Sequence, residues 1–156
     1  MTVEIGKVPY HGWDNNVRLA NGRIELIVTG DVGPRIIRFG FVKGPNLMAE
    51  FKDQMGGTAE KEWRIRGGHR LWLAPEVKPD TYELDNSPVV IRTVRDGLRT
   101  LQPAGVLTGV EKRMDIRMAG RRDEVTVTHT LKNAGRKART LAPWALTVMA
   151  PGGTCI

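Results

Sequence analysis

Cysteine is nearly absent from this chain of 156 residues, which contains a single one, Cys155. One thiol cannot form a disulfide within the chain, so we expect a protein of a reducing compartment, the cytoplasm. The apolar runs are too short to cross a bilayer, and the N-terminus lacks a charged segment followed by an apolar one. Neither a membrane span nor a secretory signal is therefore predicted.

The sequence motifs of the common nucleotide-binding and hydrolytic enzymes are missing as well. There is no P-loop, no G-x-G-x-x-G, no G-x-S-x-G and no H-E-x-x-H. Serine occurs once, as Ser87 in an Asn-Ser-Pro turn, which argues against a Ser/His/Asp triad. Three histidines and one cysteine are spread along the chain without metal-ligand spacing, so neither a metal site nor a cofactor is predicted.

The chain carries an excess of positive charge, but its basic residues are not clustered in the sequence. The net charge is +7 and the isoelectric point is about 10.0, which raises the possibility of nucleic-acid binding. The arginines, however, are scattered and mostly alternate with apolar residues, and the aromatic and basic signature of an RNA-binding sheet is absent. We therefore expect no specific nucleic-acid partner. A hydrophobic content of 40% and a mean hydropathy of -0.30 are typical of a single soluble domain, residues 1–156.

Residues that alternate in polarity dominate the chain, and no helical period is sustained. The clearest case is 110–118, where Val110, Met114, Ile116 and Met118 share one face that only Lys112 interrupts. A turn leads to a second alternating run at 125–131, which predicts a hairpin. Further strands are predicted at 17–20, 23–29, 35–41, 46–51, 89–94, 98–102 and 144–149, and a mobile loop at 52–62. Short strands separated by Gly or Pro indicate an all-β antiparallel sandwich or a barrel.

The segment 67–76, Gly-Gly-His-Arg-Leu-Trp-Leu-Ala-Pro-Glu, concentrates chemically useful side chains near one strand. Its two glycines allow a tight turn or a close approach of the backbone, and its proline ends the strand. His69, Arg70, Trp72 and Glu76 together suit a sugar, which needs hydrogen bonds at its hydroxyl groups and an aromatic face beneath its C–H groups. The alternative is a buried strand with a hydrogen-bonded histidine and a core tryptophan, and both interpretations stay open here.

Several segments, taken in order, resemble the galactose mutarotase-like, or aldose 1-epimerase-like, superfamily. The segment 68–76 resembles a G-(D/H)-R-L-W-x-A-P-E signature of uncharacterised members, and 131–135 resembles their L-x-N-x-G turn. The remaining similar segments are Asn-Gly-Arg-Ile-Glu-Leu at 21–26, Gly-Pro-Arg-Ile at 33–36, Asn-Leu-Met at 46–48 and Ala-Pro-Trp-Ala-Leu-Thr at 142–147. The resemblance spans about residues 15–153.

The resemblance implies a large twisted β-sandwich, a supersandwich, that binds a carbohydrate in a cleft on one concave sheet. In mutarotases a histidine protonates the ring oxygen and a glutamate removes the anomeric proton. This chain has Trp144 and Ala145 where the acid histidine is expected. The base glutamate belongs to the family's C-terminal half, so the chain corresponds to a whole sandwich domain or to the N-terminal portion of one.

The leading hypothesis is a carbohydrate-binding protein whose partner is a sugar or a sugar phosphate. Its predicted ligand contacts are Arg35, which the resemblance suggests, together with Arg70, Trp72 and Trp63. A second hypothesis is an epimerase, isomerase or lyase that is active only as the full-length protein, with His69 and Glu76 as the catalytic acid and base. A third is a structural interaction module that uses its strand edges.

The strand at 144–149 is predicted to be buried, yet little sequence follows it that could cover one of its sides. Unpaired apolar edges promote association. We therefore expect a homo-oligomer, most simply a dimer in which C-terminal strands cover each other, or else a truncated product of a longer parent.

Overall fold

The computed structural model describes residues 2–154, so Cys155 lies outside the described residues. Within that range helical structure is limited to two short 3-10 helices, Lys52–Gln54 and Asp80–Tyr82, and no helix is long and apolar enough to span a membrane. Ten strands follow one another along the chain: β1 (Glu4–Tyr10), β2 (Trp13–Ala20), β3 (Ile24–Thr29), β4 (Arg35–Phe41), β5 (Gly68–Ala74), β6 (Val90–Val94), β7 (Gly97–Gln102), β8 (Val110–Met118), β9 (Val125–Asn133) and β10 (Ala142–Val148).

The strands form two antiparallel sheets that pack face to face. The first sheet has six strands in the order β1-β2-β3-β4-β5-β10, and the second has four in the order β6-β7-β8-β9. The sheets do not close into a barrel. The predicted all-β antiparallel sandwich is confirmed, and the alternative of a barrel is excluded.

The core lies between the two sheets and is built from the alternating residues of each. Val110, Met114, Ile116 and Met118 of β8 are at most 2% exposed. Those at 114, 116 and 118 share one cluster with side chains of the first sheet, among them Leu19, Leu26, Val28, Ile36 and Leu71. Burial of each such side chain contributes about 1.5–3 kcal/mol. The period-two pattern of the sequence therefore identified the inner face of β8 correctly, including the buried exception Lys112.

The turn between β2 and β3 follows its predicted position. Gly22 has a φ of +86°, a conformation that glycine adopts without strain. The side-chain oxygen of Asn21 accepts hydrogen bonds from the backbone N–H groups of Arg23 and Ile24, both at 3.0 Å. The loop consequently spans three residues instead of the two expected from the sequence.

Two predicted elements differ from the structure. Residues 46–51 form no strand, only isolated bridges at Met48 and Glu50, because the Asn46 side chain bonds the backbone of Phe39, Ile37 and Met48 and turns the chain. The segment 52–62, predicted as a mobile loop, contains no strand, but it begins with the 3-10 helix Lys52–Gln54 and is anchored by hydrogen bonds. Trp13 donates to the Gly57 carbonyl at 3.0 Å, and both carboxylate oxygens of Glu60 accept from Arg66 at 2.6 Å.

The prediction of a buried strand at 144–149 is wrong, because the side chains of β10 are exposed or half-buried. β10 lies at one edge of the six-stranded sheet, and within residues 2–154 no strand pairs with its outer side. The dimer therefore remains a prediction, and the unpaired edge of β10 is available for pairing with a second copy of the chain. We expect light scattering at about 100 μM to report a dimer formed by strand pairing, and Ala145→Lys, at an exposed position of β10, to shift it towards the monomer because an edge lysine opposes pairing. A dispersed monomer of the parent chain would contradict the prediction.

Candidate functional site

The two faces of β5 carry different chemistry. Leu71 belongs to the core between the sheets, so His69, two positions earlier, also faces the second sheet. Arg70 and Trp72 face the opposite, outer side of the six-stranded sheet. β4 and β10 flank β5, with Arg35 opposite Arg70 and Trp144 opposite Trp72 in register. The segment 67–76 thus supplies side chains to two separate places.

Four aromatic rings cluster on the outer face of β5 and β10. The Trp72 ring centroid lies 5.4 Å from that of Trp63, 5.2 Å from that of Tyr82 and 5.5 Å from that of Trp144. Trp72 is 6% exposed, whereas the other three rings are half-buried. We call Trp63, Trp72, Tyr82 and Trp144 the aromatic cluster.

The guanidinium of Arg70 lies against two rings of the aromatic cluster. Its Cζ atom is 4.3 Å from the Trp72 ring centroid and 5.0 Å from that of Trp63, within the range of cation–π attraction. Four buried N–H donors here find no acceptor among residues 2–154: Nε and Nη1 of Arg70 and the indole Nε1 of both Trp63 and Trp72. The site is therefore rich in unsatisfied donors next to aromatic faces.

Asp85 ties the two buried arginines together. Its Oδ2 accepts from Nη2 of Arg70 at 3.0 Å and from Nη2 of Arg35 at 3.2 Å. Burial alone would raise the pKa of the Asp85 carboxyl, but Arg35, Arg70 and Lys112 outweigh it and hold that pKa below its usual value. Burial lowers the pKa of Arg70 to about 9, so the guanidinium stays charged at neutral pH.

The structure buries both Arg35 and Arg70, which were predicted as direct ligand contacts. Arg35 has no exposed surface, and its Nη1 donates to the carbonyls of Ile65 at 2.8 Å and Gly67 at 2.6 Å. Arg70 is 2% exposed. Both arginines hold the chain around β5 in place, and the exposed surface of the cluster belongs to Trp63, Tyr82 and Trp144.

The predicted acid–base pair, His69 and Glu76, is not brought together. His69 faces the second sheet near the start of β5, whereas Glu76 follows the end of the strand and its carboxylate accepts from the Tyr82 hydroxyl. The part of β5 from His69 to Ala74 alone spans about 17 Å. The two side chains are therefore not placed to act on one sugar ring, and Glu76 instead borders the aromatic cluster.

His69 contacts a second histidine instead. Its Nε2 lies 2.8 Å from Nε2 of His129 on β9, and its Nδ1 lies 2.8 Å from Oγ1 of Thr147 on β10. Burial, with additional effects of His129 and Arg35, lowers the pKa of His69 to about 4, so this imidazole is neutral at pH 7. Burial also lowers the pKa of His129.

Sequence reasoning did not identify Tyr82, Asp85 or Trp144 as parts of the site. Tyr82 and Asp85 lie in the irregular segment between β5 and β6, and Trp144 reaches Trp72 through the register of β10. One signal was available, since Trp144 belongs to a short predicted strand and aromatic residues often pair across neighbouring strands.

Comparison of the chain with protein-family models, with curated proteins and with solved structures finds no significant match. The chemistry of the site therefore has to be inferred from its own geometry.

Proposed function

We propose that the aromatic cluster binds a carbohydrate that carries an acidic group, such as a uronate or a sugar phosphate. The observation that supports this proposal is the group of four buried N–H donors without acceptors among residues 2–154, two on Arg70 and two on the tilted and edge-to-face indole rings of the aromatic cluster. Sugars present C–H faces that stack on aromatic rings and many oxygen atoms that accept hydrogen bonds. The resemblance to galactose mutarotase-like proteins favours the same ligand class, and we propose membership of that superfamily together with this function.

Access to the donors determines how such a ligand would bind. Trp63 and Tyr82 lie on irregular segments, whereas Trp72 and Trp144 are fixed on paired strands. A small displacement of Trp63 or Tyr82 would expose the indole and guanidinium donors while leaving Trp144 as a stacking platform. The net charge of +7 favours an anionic sugar over a neutral one, because a positive surface concentrates anions.

Calorimetric titration tests this proposal directly. Glucuronate, galacturonate and glucose 6-phosphate are expected to bind at millimolar concentration or below, and more tightly than galactose. Trp144→Ala is expected to weaken binding by about fivefold, since loss of one stacking ring removes about 1 kcal/mol. Binding should also weaken as salt is added, because exposed charges are screened.

Phe41→Ala serves as the matched control, because this aromatic side chain is 56% exposed at the end of β4, outside the cluster. It should leave sugar affinity unchanged. The proposal fails if none of these sugars binds at millimolar concentration, or if Trp144→Ala binds them as the parent chain does.

The cytoplasmic location stays a prediction from the cysteine content.

A further inference from the structure

His69 and His129 approach each other across the gap between the two sheets. The first lies on β5 of the six-stranded sheet and the second on β9 of the four-stranded sheet. Their Nε2 atoms are 2.8 Å apart, and the ring centroids are 5.0 Å apart at an angle of 50°. Two ring nitrogens therefore converge on one point from opposite layers of the sandwich.

Thr147 orients the first of these rings. Its Oγ1 lies 2.8 Å from Nδ1 of His69, and when Nδ1 donates its proton to this hydroxyl, the lone pair of Nε2 points towards His129. A hydrogen bond to the distal ring nitrogen is the usual way in which proteins fix the tautomer of a ligating histidine. Thr147 is exposed, so solvent reaches this side of the pair.

We propose that Nε2 of His69 and Nε2 of His129 together bind a divalent transition-metal ion such as Ni²⁺, Cu²⁺ or Zn²⁺, with water completing its coordination. Neutral imidazole is a good ligand for all three ions. Two nitrogens at bonding distance from a tetrahedral centre are about 3.3 Å apart. The present separation is 2.8 Å, so binding requires the two Nε2 atoms to move about 0.5 Å apart and the half-buried His129 ring to turn until both lone pairs point at the ion.

The surroundings set the strength of this site. Among residues 2–154 there is no group of three or more His, Cys, Asp and Glu side chains placed to hold a metal. A cavity of about 140 Å³ that borders His69 is otherwise lined by apolar side chains and adds no ligand. The positive charge of Arg35, on the opposite face of β4, is only partly offset by Asp85, which Arg70 shares, and it opposes cation binding. We therefore expect modest affinity supplied by the two imidazoles.

The sequence pattern did not predict this site, because 60 positions separate the two histidines along the chain. The site lies on the face of β5 opposite Arg70 and Trp72, so it is independent of the proposed sugar binding. A bound ion would link one sheet to the other. It should stabilise the folded chain, which alone presents both nitrogens together.

Metal titration of tag-free protein tests the inference. NiCl₂ and ZnCl₂ should each raise the melting temperature by about 3–6 °C at ten times the dissociation constant. MgCl₂ should not, since Mg²⁺ prefers oxygen ligands. In NMR spectra, substoichiometric Cu²⁺ should broaden the ring signals of His69 and His129 first, a measurement that needs no variant. A dissociation constant unchanged in His69→Asn/His129→Asn would overturn the proposal, as would the absence of any shift or broadening.

Two variants separate this site from others. His11→Ala removes the remaining histidine, which is 42% exposed and lies 3.4 Å from Glu50, and it should leave the metal response intact. Thr147→Val keeps the side-chain shape but removes the hydroxyl, and it should weaken binding by about tenfold through loss of ring orientation. A response lost in His11→Ala and kept in Thr147→Val would place the metal at the wrong histidine and refute the inference.

Discussion

Asp85→Asn is expected to destabilise the protein by about 3–5 kcal/mol, because it leaves two buried guanidinium groups without their shared carboxylate. Arg35 and Arg70 are 0% and 2% exposed, and both bond the same oxygen of Asp85. An asparagine retains the shape and one acceptor but supplies no negative charge. The free energy of unfolding, measured by urea denaturation with circular dichroism, reports the loss.

Asp96→Asn is the matched control for this experiment. Asp96 has a side chain that is 55% exposed and a φ of +54°, a conformation that asparagine tolerates well. Its ion pair with Arg95 is exposed, so the change should stay within about 0.5 kcal/mol. If Asp85→Asn costs no more than this control, Asp85 does not hold the two arginines as described.

The sequence predicts strands best where apolar and polar residues alternate, because one face of the strand then packs in the core and the other faces solvent. β8 and β9 were identified because their apolar residues recur at every second position. β4 was also predicted with its observed limits, although residues 35–37 are buried on both of its faces. β1 escaped notice because it lies at the edge of its sheet and is mostly exposed. Because β1 buries little apolar surface, its apolar and polar residues do not need to alternate, and the sequence carries no period-two pattern there.

The composition of the site was predicted better than its geometry. Arg70, Trp72 and Trp63 do meet on one face, but the pattern could not reveal that Arg70 would be enclosed between rings and paired with Asp85. Such contacts depend on how the irregular segments fold over the sheet. Local sequence spacing carries no information about them, and the partners of His69 depend likewise on sheet pairing.

The two glycines before His69 were expected to permit a tight turn or a close backbone approach, and the structure shows both. Gly67 and Gly68 have φ values of +87° and +71°. A Cβ atom at Gly68 would lie 2.2 Å from the carbonyl oxygen of Ile36, and one at Gly67 would lie 2.0 Å from that of Ala49. These are backbone atoms of packed segments, so neither contact can be relieved by a side-chain rotation.

Gly68→Ala is therefore expected to destabilise the protein by about 3 kcal/mol, the sum of the left-handed backbone penalty and of the steric overlap. A shift of the urea midpoint to lower concentration at unchanged slope would report this loss. Gly6→Ala is the control, because no atom lies within 4 Å of its added Cβ and its strand conformation accepts alanine. It should be neutral or stabilise by up to about 1 kcal/mol. The backbone at Gly68 fixes the start of β5, which places His69 on the inner face of the sheet and Arg70 on the outer face. Equal urea midpoints for the two variants would show that this backbone can relax, and that the start of β5 does not depend on glycine.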